Sequence, residues 1–253
     1  MICLCSLYSI SQERINQTDS QGMKQGKWVS RYPSGKPKYE GAFDRNKPVG
    51  EWKRYHENGK IKALMSYRSN SERVSASLFD EEGVLYARGV FEGTLRDSTW
   101  QFFKGDHLSR TENYHAGKRD GKSIDYDQDA KVISEKNWKN DLLDGMASEF
   151  YPDGKKRNEV GYTEGRKNGS ASFYDENGSL SMQGRYQDDL SDGDWKMFDK
   201  EGKVFLTIRY NKGDIINKGE LDSLQINEFK KYEKARGKIS EPKANESGFP
   251  ERE

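Results

Sequence analysis

The chain has 253 residues, 32% hydrophobic and 34% charged, with a formal net charge of +1. So thin an apolar supply excludes a thick two-layer core, and so even a charge balance excludes the strongly basic surface on which nucleic-acid binding usually rests. Aromatics make up 12%, at intervals too regular for a disordered chain.

Residues 1–21 read as a leader. Met1 to Gln12 is apolar, ends in the small-x-small pair Ser9 and Ser11, and runs into polar sequence. That is the layout of the h-region and cleavage site of a secretory signal, here without a basic n-region, as in a truncated signal segment. The expectation is export to the periplasm, envelope or medium, and the alternative is a cytoplasmic protein that keeps the segment. Both cysteines, Cys3 and Cys5, fall inside it, so the rest of the chain has no thiol for a disulfide framework or a thiolate metal site. No run of 18 apolar residues occurs, and no transmembrane helix is predicted.

Residues 22–217 repeat one message eight times, with a period of about two dozen residues. In its full form the unit reads G-x-W-x-x-Y-x-x-x-G-K, then an alternating stretch that closes on an aromatic, then a polar connector; Gly50, Trp52, Tyr55, Gly59, Lys60 and Tyr67 are one instance. The closing aromatics are Phe43, Tyr67, Phe91, Tyr114, Trp138, Tyr162, Tyr186 and Tyr210. In the last unit Val204, Leu206, Ile208 and Tyr210 alternate with Lys203, Phe205, Thr207 and Arg209, the pattern of a strand with one buried face. Turn triplets such as Pro33-Ser34-Gly35 and Glu57-Asn58-Gly59 place glycine where a hairpin needs positive φ. Short polar connectors then favour an antiparallel meander over crossover helices. The predicted fold is all-β: one elongated antiparallel sheet of about eight stacked β-hairpins, some sixteen strands and roughly 75 Å long. Two places break the pattern. The third unit has Ala76 in place of Trp and lacks the opening Gly, and the fourth is one residue short at Lys104-Gly105-Asp106. Drift explains both, and a bend or partner site between Arg68 and Ser98 is the alternative.

Residues 218–236 read as a short capping helix, with Leu224, Ile226, Phe229 and Tyr232 on its apolar side, docked on the open edge of the last repeat. The polar remainder, 237–253, with Pro242 and Pro250, reads as a disordered tail.

The recurring G-x-W-x-x-Y-x-x-x-G-K with its closing aromatic resembles the bacterial MORN-repeat variant, whose members are often named antitoxin-like. The resemblance covers roughly 22–217 and implies a repeat fold with no fixed role. In related arrays it implies scaffolding, membrane-proximal contacts or histone-modifying partners, and none of these transfers residue by residue.

Catalytic chemistry has little footing. His56 and His107 lie at or beside hairpin turns and His115 in a connector, which predicts no triad, no metal site and no catalytic residues. Acidic groups such as Asp141 with Asp144, or Asp188, Asp189 and Asp192, occupy connectors where other units carry Asn, Lys or Arg; they read as solvated turn residues. No phosphate-binding glycine loop lies between a strand and a helix, so no cofactor is expected. The candidate binding residues are Trp28, Trp52, Trp100 and Trp195, which share one position in their units. Their first expected duty is packing, and their second a grip on peptide, glycan or lipid. The sequence therefore points to a non-enzymatic interaction protein with another protein as partner and no nucleic acid. The alternatives are a toxin-neutralising cytoplasmic partner and peripheral lipid or glycan binding through the tryptophan row.

Overall fold

Strict alternation with glycine at each reversal gives hairpins, and hairpins this short bury their apolar faces only by joining edge to edge. The computed structural model describes residues 14–68 and 71–221, with 225–227, 230, 231 and 234 beyond them. The leader through residue 13, the tail 237–253, and Leu224, Phe229 and Tyr232 of the expected helix lie outside the described residues.

The strands are β1 (Gln17–Thr18), β2 (Lys24–Arg31), β3 (Pro37–Asp44), β4 (Lys47–Tyr55), β5 (Ile61–Tyr67), β6 (Arg73–Phe79), β7 (Leu85–Glu92), β8 (Leu95–Lys104), β9 (His107–His115) and β10 (Lys118–Tyr126). They continue as β11 (Val132–Lys139), β12 (Leu142–Leu143), β13 (Gly145–Phe150), β14 (Lys156–Thr163), β15 (Arg166–Tyr174), β16 (Leu180–Gln187), β17 (Leu190–Phe198), β18 (Val204–Asn211) and β19 (Asp214–Ile215). All 19 form one antiparallel sheet in which each strand pairs with the next in sequence, except that β12 and β13 both pair with β11. Three are two-residue pieces. The other sixteen are the eight hairpins read from the sequence.

At the hairpin turns Tyr32 N–H donates to Lys36 O and Gly35 N–H to Tyr32 O, and Gly35 sits at φ 82°, as the turn requires. Where one hairpin meets the next, the opening glycine forms a β-bulge: β3 and β4 slip register opposite Gly50, at φ 68°. The junction of β5 with β6 has no slip, with Tyr67 opposite Val74 and Met65 opposite Ala76. The third unit lacks the opening glycine because it has no bulge to make. At the next junction the bulge returns with Ser98 in the glycine's place, held at φ 60°. The short turn of the fourth unit is a two-residue reversal, Gly105-Asp106, between the paired Lys104 and His107.

Both ends of the sheet are finished by an asparagine side chain. Asn16 accepts from Val29 N–H and donates to Val29 O at the outer edge of β2. Asn217 accepts from Arg209 N–H and donates to Thr207 O at the outer edge of β18. After a short 3-10 turn at Lys218–Glu220, Leu221 packs against the last apolar cluster, and residues 225–227, 230, 231 and 234 are helical.

Candidate interaction surface

The register sorts the side chains into two faces, one aromatic and one polar. On the aromatic face, Trp52, Trp100 and Trp195 are buried, Trp100 to 0% exposure, while Trp28 is half-buried. Each buried indole lies over a glycine of the preceding strand: Trp52 over Gly41, Trp100 over Gly89, Trp195 over Gly184. A Cβ on any of those glycines would overlap the indole. Each indole N–H is fixed to a carbonyl of that strand, at 3.0 Å to Ala42 O, 3.0 Å to Val90 O and 3.1 Å to Arg185 O. Closing aromatics meet the indoles edge-on, with centroid distances of 4.8 Å for Phe91–Trp100 and 5.0 Å for Tyr186–Trp195.

The glycine explains the missing tryptophans. Where the preceding strand carries a side chain instead, the tryptophan position is small: Ala76 opposite Met65, Ser123 opposite Glu112, Ala171 opposite Val160. Ala76 is thus one half of a complementary pair and not drift. The signal was present in the sequence as a glycine two residues before a closing aromatic, in Gly41, Gly89 and Gly184. Only the pairing register shows what that glycine meets.

Cations complete the packing. Arg119 lies 3.6 Å from the Trp138 ring centroid, and Arg96 4.8 Å from Trp100 and 5.1 Å from Tyr114. Between an apolar cluster around Trp100 and a larger one around Trp195, the same face turns polar. There Asp125 accepts from Arg110 Nε at 2.5 Å and Ser134 Oγ at 2.6 Å, and Glu149 accepts from Asn158 Nδ2 at 2.8 Å. Tyr114 Oη donates to Glu112 at 2.6 Å and accepts from Arg96 at 3.0 Å. Burial, then the hydrogen bond to Glu112, pushes the Tyr114 hydroxyl up to about 12.

The histidines and connector carboxylates have structural partners. His56 shares an amide acceptor at 2.9 Å, Phe79 O, in the manner of Tyr32 to Tyr55 O and Tyr151 to Tyr174 O. His107 lies 3.8 Å from Asp106, and His115 3.4 Å from Asp97. Asp141 accepts from Arg119 N–H and Asp189 from Lys167 N–H, each tying one connector to the previous unit, and Asp192 pairs with Arg185. The Gly-Lys lysines reach the other way along the turn rim, to the following unit, as Lys60 donates to Glu82 O at 2.8 Å. Among the described residues no three metal-ligating side chains converge, and no helix is long and apolar enough to cross a membrane.

Taken together these features define an open β-hairpin repeat array whose large aromatics are mostly consumed in packing. The pattern of the MORN repeat variant matches the chain at three places, residues 24–44, 48–69 and 167–188. No curated protein matches it.

Proposed function

We propose that this chain is a non-enzymatic interaction protein that presents its extended sheet to another protein. MORN repeats generally mediate protein or membrane-lipid interactions. The observation that favours a protein partner is the fate of the tryptophan row: three of its four indoles are enclosed between strands. A lipid or glycan arriving at the free sheet therefore meets only the half-exposed Trp28 of that row, whereas the polar face stays open along its length. We further propose export, on the apolar opening that ends at Ser9 and Ser11. A cytoplasmic, antitoxin-type partner is the competing reading.

Crosslinking in the native host followed by mass spectrometry tests both parts. A specific protein crosslinked to the array, with the first residues absent from the mature chain, is expected. An intact Met1 segment on a cytosolic protein refutes export. Co-sedimentation with anionic vesicles and no protein crosslink refutes the protein-partner reading.

A further inference from the structure

Near-neutral overall charge conceals a polarised array. Residues 14–68 hold 13 Lys and Arg against 5 Asp and Glu, while residues 71–217 hold 22 against 28. On the polar face of β2 to β7, Arg31, Lys38, Lys53, Lys62 and Arg88 are exposed. Lys53 lies 3.6 Å from Glu40. The other four meet no carboxylate among the described residues: Arg31 donates to Gly35 O, Lys38 sits over the Tyr32 ring, and Arg88 donates to Gln101. Cations left without counter-charges on one face are an electrostatic footprint for an acidic ligand.

The same face has a trough of about 430 Å³ at the irregular third hairpin. Ser66, Ser75 and Ser77 line it with Arg88, Thr99 and Gln101. Its cause is the unbulged junction, which sets the short side chains of Ser75 and Ser66 opposite each other, with Ser77 beside them opposite Leu64. The seventh hairpin also carries two serines here, but Ser172 faces Glu159 across its junction and Ser170 faces Arg185 within the hairpin, where Ser75 has Ser66 and Val90. Register places Lys53 beside Leu64, with Lys62 one step further along the same face of β5.

We propose that this trough and its flanking cations bind an extended acidic peptide segment of a partner protein. The assignment rests on the interaction reading above and names its surface. Hydroxyls and a guanidinium are the donors a carboxylate needs, and Arg88 stands at the edge of the serine floor. Glu51 is the one carboxylate on the lining and disfavours a segment that is acidic at every position. From β4 to β8 the trough crosses four strand spacings, about 19 Å, the span of about six extended residues. Stacking platforms distinguish single-stranded nucleic-acid sites, and the lining holds no aromatic residue.

Selection of phage-displayed random dodecapeptides on the full chain, followed by fluorescence titration of the winning synthetic peptide, tests this. Net acidic peptides are expected, with affinity falling as salt rises from about 50 to about 500 mM. The pair Lys62→Glu with Arg88→Glu, and separately Ser75→Leu with Ser77→Leu, should each weaken binding about tenfold or more. Lys196→Glu with Lys203→Glu, the same charge change at the far end, should leave it within about twofold. Circular dichroism melts keep loss of fold apart from loss of binding, since all these side chains sit at the surface. Neutral or basic winners, or an acidic winner indifferent to both trough variants, overturn the assignment. So does a single-stranded oligonucleotide or a phosphatidylserine vesicle that binds the trough in place of peptide. If crosslinking still captures a protein, the interaction reading survives that failure; if it captures none, that reading falls by itself.

Discussion

Gly89→Ala should be far more damaging in this chain than one methyl group in a strand has reason to be. Alanine is ordinarily the better strand and helix residue, because glycine gives up about 0.5 to 1 kcal/mol of backbone entropy. Here the new Cβ overlaps the Trp100 indole. The indole has nowhere to go: it is 0% exposed, its N–H is fixed to Val90 O at 3.0 Å, and Phe91 and Arg96 lie at 4.8 Å from it. Overpacking of this sort costs about 1 to 3 kcal/mol, and removing the indole by Trp100→Ala costs about 3 to 5 kcal/mol. The informative variant is the double. Once the indole is gone, Gly89→Ala meets open space and regains its entropic advantage, so the double variant should be no less stable than Trp100→Ala alone. Urea titrations of the four chains should therefore give a coupling energy of about 2 kcal/mol or more. Additive losses would falsify the idea that glycine and tryptophan form one unit, and would leave Ala76 and Ala171 unexplained.

Tyr114 ties stability to alkaline pH. Its hydroxyl titrates higher in the folded chain than in the unfolded one, so its contribution is complete below about 10 and is lost as pH climbs through about 12. In thermal melts Tyr55, likewise pushed up to about 12, and the raised Tyr67, Tyr86 and Tyr151 add to the fall in that window, so Tyr114→Phe should remove only its own share, about 2 kcal/mol; a fall no smaller than in the parent chain refutes the assignment. The polar stretch around Asp125 and Glu149 separates two apolar clusters, so hydrogen exchange should show β14 to β18 protected longer than β7 to β9, and a single uniform protection factor argues against two units. Small-angle scattering should give a radius of gyration above about 22 Å, against about 18 Å for a compact chain of this length, and the compact value refutes the open sheet.

The fold was legible because its rules are local. Gly35 and Gly59 mark turns, Tyr67 and Tyr210 mark strand ends, and alternation along Val204 to Tyr210 fixes which face is apolar. The candidate surface was legible only in part. Trp52, Trp100 and Trp195 were recognised as a row, but their enclosure depends on which residue stands across the junction, a fact about register that Gly41, Gly89 and Gly184 disclose only after pairing. The trough was hidden for the same reason. Nothing local to Ser66 or to Ser75 says that they meet, and they do so because Val74 replaces the glycine that elsewhere shifts the register.

The two terminal asparagines bear on how large this assembly becomes. A ladder of near-identical hairpins is, chemically, a living polymer: each exposed edge is an active end, ready to add the next strand from the same chain or from another molecule. Asn16 and Asn217 act as end-capping reagents. Each carboxamide meets one donor and one acceptor of the edge with its own acceptor and one of its N–H groups, and so takes the place a further strand would need there. With the short strands β1 and β19 beside them, these side chains cover both outer edges of the long strands. Changing them to leucine should make the mass read by light scattering grow with concentration more than it does for the parent chain, and equal behaviour of the two would refute the capping role.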